Sequence, residues 1–231
     1  DLESVTVPFI GEIPLFTRKK KGIFGKKPQE VKAVVVKEGN RDIINEAFRV
    51  LRTNLEFMTG KDKTSNVIIM TSFNPGSSKS FLTMNIAVSF AIKGKKVLVI
   101  DGDLRHGSAS SYIDSPARGL SDYLGGRIDN LNEIIVSDPK QKFMDILPVG
   151  TIPPNPTEVL FDERLKQVID TVRGQYDYVL IDCPPIELVA DTQIIEKQKE
   201  RLGTKRGFIA VKPNCSIQSY TPALKAWEEF E

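Results

Sequence analysis

The sequence predicts an α/β fold in which a doubly wound, mostly parallel β-sheet is flanked by helices. Three observations support this prediction. Apolar runs of strand length alternate with helical runs, and those strand runs are almost continuously apolar. Acidic residues also end two of the strand runs, and the carboxyl ends of strands are where such sheets bind their ligands.

The first helix is predicted over residues 41–58, where one face is apolar at helical spacing. That face is formed by Ile44, Phe48, Leu51 and Leu55. A second helix, over residues 80–94, is closed by Gly94. The predicted strands cover residues 66–72, 96–103, 143–150, 176–185 and 207–213. Further helical runs cover residues 157–173, 189–200 and 221–230.

The length of 231 residues suits one α/β domain with appendages, and 40% apolar residues suffice for a substantial core. Residues 1–40 have little periodicity and are predicted to be an N-terminal arm or juxtamembrane linker. Residues 41–231 are predicted to be the folded domain. The predicted arm contains the basic stretch TRKKKGIFGKKPQEVK (17–32), which suits either a solvated loop or a segment held against anionic lipid.

The composition excludes several functional classes. Two cysteines are too few for a disulfide framework and favour a reduced, intracellular protein in which Cys183 is a buried thiol. No apolar run approaches the roughly 20 residues that cross a bilayer. The net charge of +2 does not indicate a nucleic-acid partner.

The segment TSFNPGSSKSFLTMNIA lies between the first predicted strand and the helix that follows it. Pro75 and Gly76 permit a tight turn whose N–H groups, with the helix start, can wrap a polyphosphate. Lys79 supplies a positive charge for the phosphates, and the Ser80 hydroxyl can bind Mg²⁺. The predicted nucleotide-binding residues are Pro75, Gly76, Ser77, Ser78, Lys79, Ser80 and Phe81.

Two further strands end in carboxylates. VLVIDGDLR ends with Asp101 and Asp103, which point to the same side and repel each other unless they share a cation. YDYVLIDCPP ends with Asp182, before a turn at Pro184 and Pro185. Each acid alone suits a strand-end cap, but three acids after a Lys-Ser loop predict a site for a metal-bound phosphate.

Together these motifs resemble the cytoplasmic kinase domain of the bacterial tyrosine kinases, P-loop enzymes of capsule and exopolysaccharide assembly. The resemblance covers residues 7–200. NPGSSKSF is similar to the family's Walker A loop, VLVIDGDLR to its Walker A′ motif and YDYVLIDCPP to its Walker B motif. EAFRVLR (46–52) matches the family's E-x-x-R-x-x-R motif, and VPFIGEIP, GLSDYLGG and GTIPPNPTEVL match other family segments.

This resemblance implies a P-loop NTPase fold and an ATP-dependent protein-tyrosine kinase that uses ATP or ADP with Mg²⁺. Ser80 would hold the Mg²⁺, with Asp101 and Asp182 acting through water. Lys79 would neutralise charge on the transferred phosphoryl group. Asp103 is the candidate to activate the tyrosine hydroxyl, although Asp101 stays open as the base. The implied catalytic residues are Lys79, Asp101, Asp103 and Asp182.

The phosphate-binding loop lacks both glycines of the G-x-x-x-x-G-K-[ST] pattern, with Phe73 and Ser78 in their places. The first position is not reliably glycine in the resembling family. A side chain at the second must avoid both ligand and turn, and a Cβ in a glycine-type conformation costs about 1 to 2 kcal/mol. Nucleotide binding is therefore expected to survive but to be weaker than in a glycine form, unless the turn has relaxed.

Glu46, Arg49 and Arg52 lie on one stripe of the first helix and suit an intrahelical salt bridge worth ~0.3 to 0.5 kcal/mol. The resemblance implies that they join subunits into a homo-oligomeric ring, with an octamer as a candidate size. The other implied partners are tyrosine-bearing protein substrates and the polysaccharide assembly machinery. The implied location is the cytoplasmic face of the bacterial inner membrane, with this chain as a soluble cytoplasmic fragment.

The chain departs from the family pattern in two respects. Family members carry a C-terminal tyrosine cluster, whereas only Tyr220 lies beyond residue 178, so self-phosphorylation at a tail is not supported. The membrane-spanning module that often precedes the kinase domain is also absent. With the basic stretch, this absence suggests a fragment that begins just after a transmembrane helix.

Two alternative functions remain open. A chromosome-partitioning or division-site ATPase shares the fold and the acidic motifs, but such proteins have a lysine early in the loop where this chain has Asn74. A nucleotide-binding oligomeric scaffold with weak or no kinase activity is favoured by Ser78.

Overall fold

The computed structural model describes residues 10–14, 34–59, 66–72, 75–154, 163–185 and 208–211. Six strands in these ranges form one sheet in the order β3-β4-β2-β5-β1-β6. They are β1 (Val67–Ser72), β2 (Val97–Asp101), β3 (Val136–Ser137), β4 (Met144–Leu147), β5 (Tyr178–Asp182) and β6 (Phe208–Val211). Every neighbouring pair is parallel except β3 with β4. The predicted mostly parallel sheet is therefore confirmed, with the short edge strand β3 added.

Three of the four helices in the described ranges lie close to the predicted positions. They are α1 (Ile43–Thr59), α2 (Lys79–Ile92), α3 (Leu120–Leu124) and α4 (Glu163–Arg173). Two short 3₁₀ turns lie at Ser110–Ile113 and Leu131–Glu133. The one-turn helix α3 and both 3₁₀ turns were not predicted, because such short elements carry too little periodicity. The helices predicted over 189–200 and 221–230 lie outside the described residues.

Each face of the sheet carries its own hydrophobic core. On one face, Val67 and Ile69 pack in a cluster that includes residues of α3 and α4. On the other, Ile68 and Met70 pack in a cluster that includes residues of α1 and α2. Successive strand residues point to opposite faces, so a strand covered on both sides must be apolar throughout. This is why the strand runs are continuous in the sequence.

Described residues from the predicted arm contact the two N-terminal helices without forming a helix or strand themselves. The Asn85 side-chain oxygen accepts hydrogen bonds from the backbone N–H groups of Val35 (2.7 Å) and Val36 (3.1 Å). The Asn54 amide donates to the carbonyl of Ile10 at 2.8 Å. The domain boundary at residue 40 stays a prediction, and the basic stretch of residues 17–32 lies outside the described residues.

GLSDYLGG and the described start of GTIPPNPTEVL (residues 150–154), two segments without an evident catalytic meaning, meet at one corner of the structure. The Asp122 carboxylate accepts hydrogen bonds from the N–H groups of Gly119 (3.0 Å) and Thr151 (3.1 Å). A Cβ at Gly119 would overlap the Pro148 carbonyl and the nitrogen of Gly150. The two glycines therefore allow two backbones to touch, and the corner holds the loop after β4 in place.

Candidate active site

The carboxyl ends of β2, β5 and β1 are adjacent because β5 lies between the other two strands. Asp101 and Asp182 are paired across β2 and β5 at their last register position. The Gly102 N–H donates to the Asp182 carbonyl at 2.9 Å, and a Cβ at Gly102 would lie only 3.2 Å from that oxygen. The sheet topology thus brings together acids that are far apart in the sequence, as predicted.

Lys79, the first residue of α2, reaches into this cluster of acids. Its Nζ lies 3.4 Å from Asp103 Oδ2 and 3.8 Å from Asp182 Oδ1. Burial alone would lower the pKa of Lys79, but the carboxylates of Asp182 and Asp103 outweigh burial and raise the pKa. The lysine is therefore a fixed positive charge at the sheet edge.

The Asp101 carboxylate is positioned by hydrogen bonds from Ser110. Its Oδ2 accepts hydrogen bonds from the backbone N–H (2.6 Å) and the hydroxyl (2.7 Å) of Ser110. The Ser110 hydroxyl in turn accepts from the N–H of Val149 at 2.8 Å, which links Asp101 to the loop after β4. Burial, and then the charge of Asp182, raise the pKa of Asp101, while the Ser110 hydrogen bonds oppose the rise.

Asp182 is fully buried, and neither of its carboxylate oxygens has a hydrogen-bond partner within the described part of the chain. Burial raises its pKa despite the opposing effect of the Lys79 ammonium and the Ser80 hydroxyl. A buried carboxylate without donors is costly unless a cation joins it. Asp182 therefore provides free oxygens where a cation would be stabilised.

The donor set fits Mg²⁺ bound together with a phosphate. Asp101, Asp103 and Asp182 outnumber the one ammonium of Lys79, so a divalent cation would balance the buried charge. Among the described residues, no three Asp, Glu, His or Cys side chains are arranged to hold a metal ion by themselves. Mg²⁺ commonly takes one or two carboxylates and completes its shell with water and phosphate oxygens.

Ser78 occupies the left-handed region of the backbone, with φ 58° and ψ 25°. It is the N-terminal cap residue of α2, yet its side chain makes no capping hydrogen bond. This is the glycine-type conformation, which was one of the two alternatives that the sequence left open for this position. The turn has not relaxed to accommodate the side chain.

The other predicted loop residues take different environments. Pro75 and Gly76 are exposed, with Gly76 at φ 71°, whereas Ser77 is buried and Ser80 is half-buried. The Phe81 ring packs edge-on against Phe48 of α1, with 6.2 Å between centroids. The Phe81 ring therefore packs α2 against α1. Only the backbone of Phe81 remains for the predicted contact with nucleotide, which stays a prediction.

Two polar residues of this site were not singled out in the sequence. Ser110, described above, could not have been found without the fold. His106 is the chain's one histidine and lies in the loop just beyond the Walker A′ aspartates. Its ring Nδ1 lies 3.1 Å from Asp103 Oδ1. The sequence did contain a signal for His106, because it follows Asp101 and Asp103 by only a few residues.

Cys183, which follows Asp182, is a buried free thiol, as predicted. Burial raises the pKa of the thiol, followed in effect by the charge of Asp182. The thiol is therefore protonated and unreactive at neutral pH. Its backbone N–H donates to the carbonyl of Met70 at 2.8 Å, so the residue helps to hold β5 beside β1.

The E-x-x-R-x-x-R motif divides between two environments on α1. Glu46 and Arg49 form an exposed intrahelical salt bridge with 3.1 Å between charged atoms. Arg52 instead donates to the carbonyl of Ser89 on α2 at 2.9 Å. Arg52 thus connects two helices of the same chain, while Glu46 and Arg49 face outward.

Comparison with known proteins assigns the chain to a family. A family model described as "AAA domain" matches residues 65–197. The tyrosine-protein kinase CpsD of Streptococcus agalactiae is 36% identical over 202 residues, which cover 76% of this chain and 86% of CpsD. The chain belongs to the bacterial tyrosine kinase family. It also spans 20 to 21% of the length of other curated relatives that it matches at 39 to 40% identity.

Solved structures agree with this family and with the P-loop NTPase fold. The BceF tyrosine kinase domain is 34% identical, with a TM-score of 0.66, and the match covers 80% of this chain and 72% of that one. The septum site-determining protein MinD of Pyrococcus horikoshii, solved with Mg-ADP, is 26% identical with a TM-score of 0.54. That match covers 71% of this chain and 64% of MinD. The chain therefore resembles both a tyrosine kinase domain and a septum site-determining protein that share this fold.

Proposed function

We propose that this chain is an ATP-dependent protein-tyrosine kinase domain that acts in capsule or exopolysaccharide synthesis and export. The observation that carries the proposal is the convergence of Lys79 with Asp101, Asp103 and Asp182 at the end of the phosphate-binding loop. The family to which the chain belongs includes relatives named tyrosine-protein kinases, which supports the reaction.

Residues 75–81 would hold ATP or ADP, with Lys79 positioned to neutralise charge on the phosphoryl group as it is transferred. Ser80 would hold the Mg²⁺, with Asp101 and Asp182 acting through water. When bound, Mg²⁺ would neutralise phosphate charge and fix the phosphate orientation. The oxygens of Asp182 support this assignment, since within the described residues they accept no hydrogen bond and their ion pair is with Lys79 at 3.8 Å.

The same proposal includes assembly into a homo-oligomeric ring through α1. Glu46 and Arg49 lie on the exposed side of this helix, next to exposed apolar side chains at heptad spacing. These are Ile43, Val50 and Phe57, with exposed fractions of 78%, 55% and 81%. Apolar and paired charged groups on one helix face are typical of a protein interface. A ring would let one subunit receive the tyrosines of another.

Location at the cytoplasmic face of the inner membrane, beside the polysaccharide machinery, is part of the proposal. It is supported by the basic stretch of residues 17–32, which would attract anionic lipid. Within the described residues, none of the helices combines the length and apolar character needed to span a bilayer.

Incubation with ATP labelled in its γ-phosphoryl group tests the kinase activity. We expect tyrosine labelling of the chain or of a tyrosine-containing acceptor, and loss of that labelling in Lys79→Met, because the fixed charge of the loop is removed. Lys93→Met is the matched control. Lys93 caps the opposite, C-terminal end of the same helix α2, where it is exposed and paired with Glu56. It should label like the wild type.

Three results would contradict the proposal in different ways. Nucleotide binding and intact oligomers without any labelling would favour the scaffold. ATP hydrolysis without tyrosine transfer would favour the partitioning-type ATPase. Equal labelling of wild type and Lys79→Met would show that another protein in the sample is the kinase.

A further inference from the structure

The two carboxylate oxygens of Asp101 have different surroundings. Its Oδ2 accepts two short hydrogen bonds, from the backbone N–H (2.6 Å) and the hydroxyl (2.7 Å) of Ser110. A carboxylate oxygen has about two lone pairs for donors, so Oδ2 is fully used. Within the described part of the chain, Oδ1 accepts a single, longer hydrogen bond, from the Asp103 N–H at 3.3 Å. Oδ1 is therefore the oxygen that keeps an acceptor position for a ligand.

The Ser110 hydroxyl has a partner on each side. Ser110 is 3% exposed, and its Oγ accepts the backbone N–H of Val149 at 2.8 Å. Because the Val149 N–H already points at Oγ, the hydroxyl proton is directed to the carboxylate of Asp101. Consecutive hydrogen bonds of this kind polarise and strengthen one another in a buried site. The chain from Val149 through Ser110 therefore favours one orientation of the Asp101 carboxylate.

The backbone that supplies the Val149 N–H is itself fixed at both neighbouring peptide groups. The carbonyl of Pro148 accepts the N–H of Leu120 at 2.8 Å, and the carbonyl of Val149 accepts the N–H of Ser121 at 2.9 Å. The loop that contains Val149 follows β4, which pairs directly with β2, the strand that ends in Asp101. Ser110 thus connects the end of one strand to the anchored loop of the neighbouring strand.

We infer that Ser110 is a positioning residue of the proposed Mg²⁺-nucleotide site: it holds Asp101 so that Oδ1 is left for a metal-bound water, and it couples this orientation to the loop after β4. The inference rests on the proposed function. Mg²⁺ keeps several of its waters when it binds to few carboxylates, and those waters need acceptors in fixed positions. Replacing a residue that orients such an acceptor typically changes metal affinity by roughly 10- to 100-fold.

The first test measures ADP binding by calorimetry, with Mg²⁺ and with EDTA, and needs no enzymatic activity. We expect Ser110→Ala to reduce the Mg²⁺-dependent tightening of ADP binding about tenfold. The effect lies at the lower end of the range because the backbone N–H of Ser110 still reaches Asp101. The Kd for ADP in EDTA should be unchanged, whereas loss of a residue that only supports the fold would change both affinities alike.

Ser121→Ala is the matched control. Ser121 is 1% exposed and belongs to the same corner, where its hydroxyl donates to the carbonyl of Thr151. Among the described residues, no hydrogen bond joins Ser121 directly to Asp101. We expect a lower thermal midpoint, because a buried hydrogen bond is lost, together with the full Mg²⁺-dependent tightening of the wild type.

The second test uses the wild type alone, so it does not depend on the folding of a variant. Exchange of the Val149 amide hydrogen in ¹⁵N-labelled protein measures how often its hydrogen bond to Ser110 opens. Because coupling between sites is reciprocal, Mg²⁺ with ADP should slow this exchange more than ADP in EDTA does. Val97 is the reference for overall stabilisation, since its N–H donates to Phe143 at the opposite end of β2. Its exchange should slow less.

Full tightening in a folded Ser110→Ala protein would overturn the inference, since the backbone would then suffice to hold Asp101. So would equal losses of affinity with Mg²⁺ and with EDTA, or a loss of tightening in Ser121→Ala. Equal slowing of the Val149 and Val97 amides would overturn the coupling to the loop. A wild type without Mg²⁺-dependent tightening would refute the proposed metal site together with this inference. Tightening without tyrosine labelling would refute the kinase function alone.

Discussion

Ser78 shows how one Cβ affects the phosphate-binding loop. Its φ of 58° is a conformation that glycine adopts without strain and that costs other residues about 1 to 2 kcal/mol. Such strain at a loop that contacts ligand can weaken binding as well as folding. The Ser78 side chain makes no capping hydrogen bond to α2 that would offset this strain.

Ser78→Gly is therefore expected to raise the free energy of unfolding by about 0.5 to 1 kcal/mol, after the greater unfolded-state entropy of glycine is deducted. We also expect a several-fold lower Kd for ADP, because the side chain no longer crowds the phosphates. Chemical denaturation and calorimetry measure the two effects. Ser78→Ala keeps the Cβ and should show neither gain. A Ser78→Gly protein no more stable than the wild type would contradict the strain argument.

Asp182 is a buried carboxylate of the candidate site whose charge is expected to reduce stability. Its oxygens are buried with the Lys79 ammonium no nearer than 3.8 Å, and its charge faces those of Asp101 and Asp103. Asp182→Asn should stabilise the nucleotide-free protein at pH 8 by on the order of 1 kcal/mol, because a neutral amide is less costly to bury than a charge.

The same substitution should abolish Mg²⁺-dependent tightening of nucleotide binding, which calorimetry with and without Mg²⁺ would measure. Asp114→Asn is the control, since Asp114 is exposed at φ 60°, where asparagine is also tolerated. It should leave binding unchanged and the thermal midpoint nearly so. If Asp182→Asn lowered stability, the ion pair with Lys79 would outweigh the cost of burial.

At the scale of elements, the corner between α3 and the loop after β4 holds part of the site. Gly119 and Gly150 permit the two backbones to touch, and Asp122 bridges them. From this loop, the N–H of Val149 donates to Ser110, which holds Asp101. The corner thus gives the GLSDYLGG segment a structural role: it supports an acid of the active site from a distance.

Gly119→Ala is expected to destabilise the protein by several kcal/mol, because its Cβ would overlap backbone atoms that cannot move independently. Gly174→Ala is the matched control, since a Cβ there meets nothing within 4 Å. Thermal and chemical denaturation of both variants measure the difference. Comparable stability of the two variants would show that the corner opens easily and does not support Asp101.

At the scale of the whole molecule, the outward side of α1 is the surface on which we expect assembly. Phe57 is 81% exposed although it lies on the same helix as the fully buried Phe48. Because Arg52 is turned inward to Ser89, the ion pair of Glu46 and Arg49 is the part of the motif that is available to a neighbouring subunit.

Phe57→Ser combined with Arg49→Ala is expected to shift the oligomer toward monomer while changing the unfolding free energy by less than about 0.5 kcal/mol in the monomer. Sedimentation velocity and denaturation measure the two quantities. Phe143→Ser is the control, because Phe143 is another exposed phenylalanine (40%), next to β4 and far along the chain from α1. Unchanged assembly in the double variant would contradict an interface on α1.

The sequence by itself determined the sheet, the principal helices and three of the acids at the strand ends. Those predictions succeeded because strands buried on both faces must be apolar throughout, and ligands of parallel sheets bind where the strands end. It also identified Ser78 as the residue at the glycine position of the loop, since the spacing to Lys79 fixes its place in the turn, whereas the structure decided that the left-handed conformation is kept.

Only the tertiary structure decided what surrounds these residues. Ser110 beneath Asp101, His106 against Asp103 and Arg52 on Ser89 are contacts between side chains whose partners carry no periodic signal in the sequence. Likewise, the touching backbones of Gly119 and Gly150 depend on how two distant loops cross. The periodicity of apolar residues in the sequence predicts which face of an element a residue lies on. Which residue it contacts depends on how elements that are distant along the chain pack together.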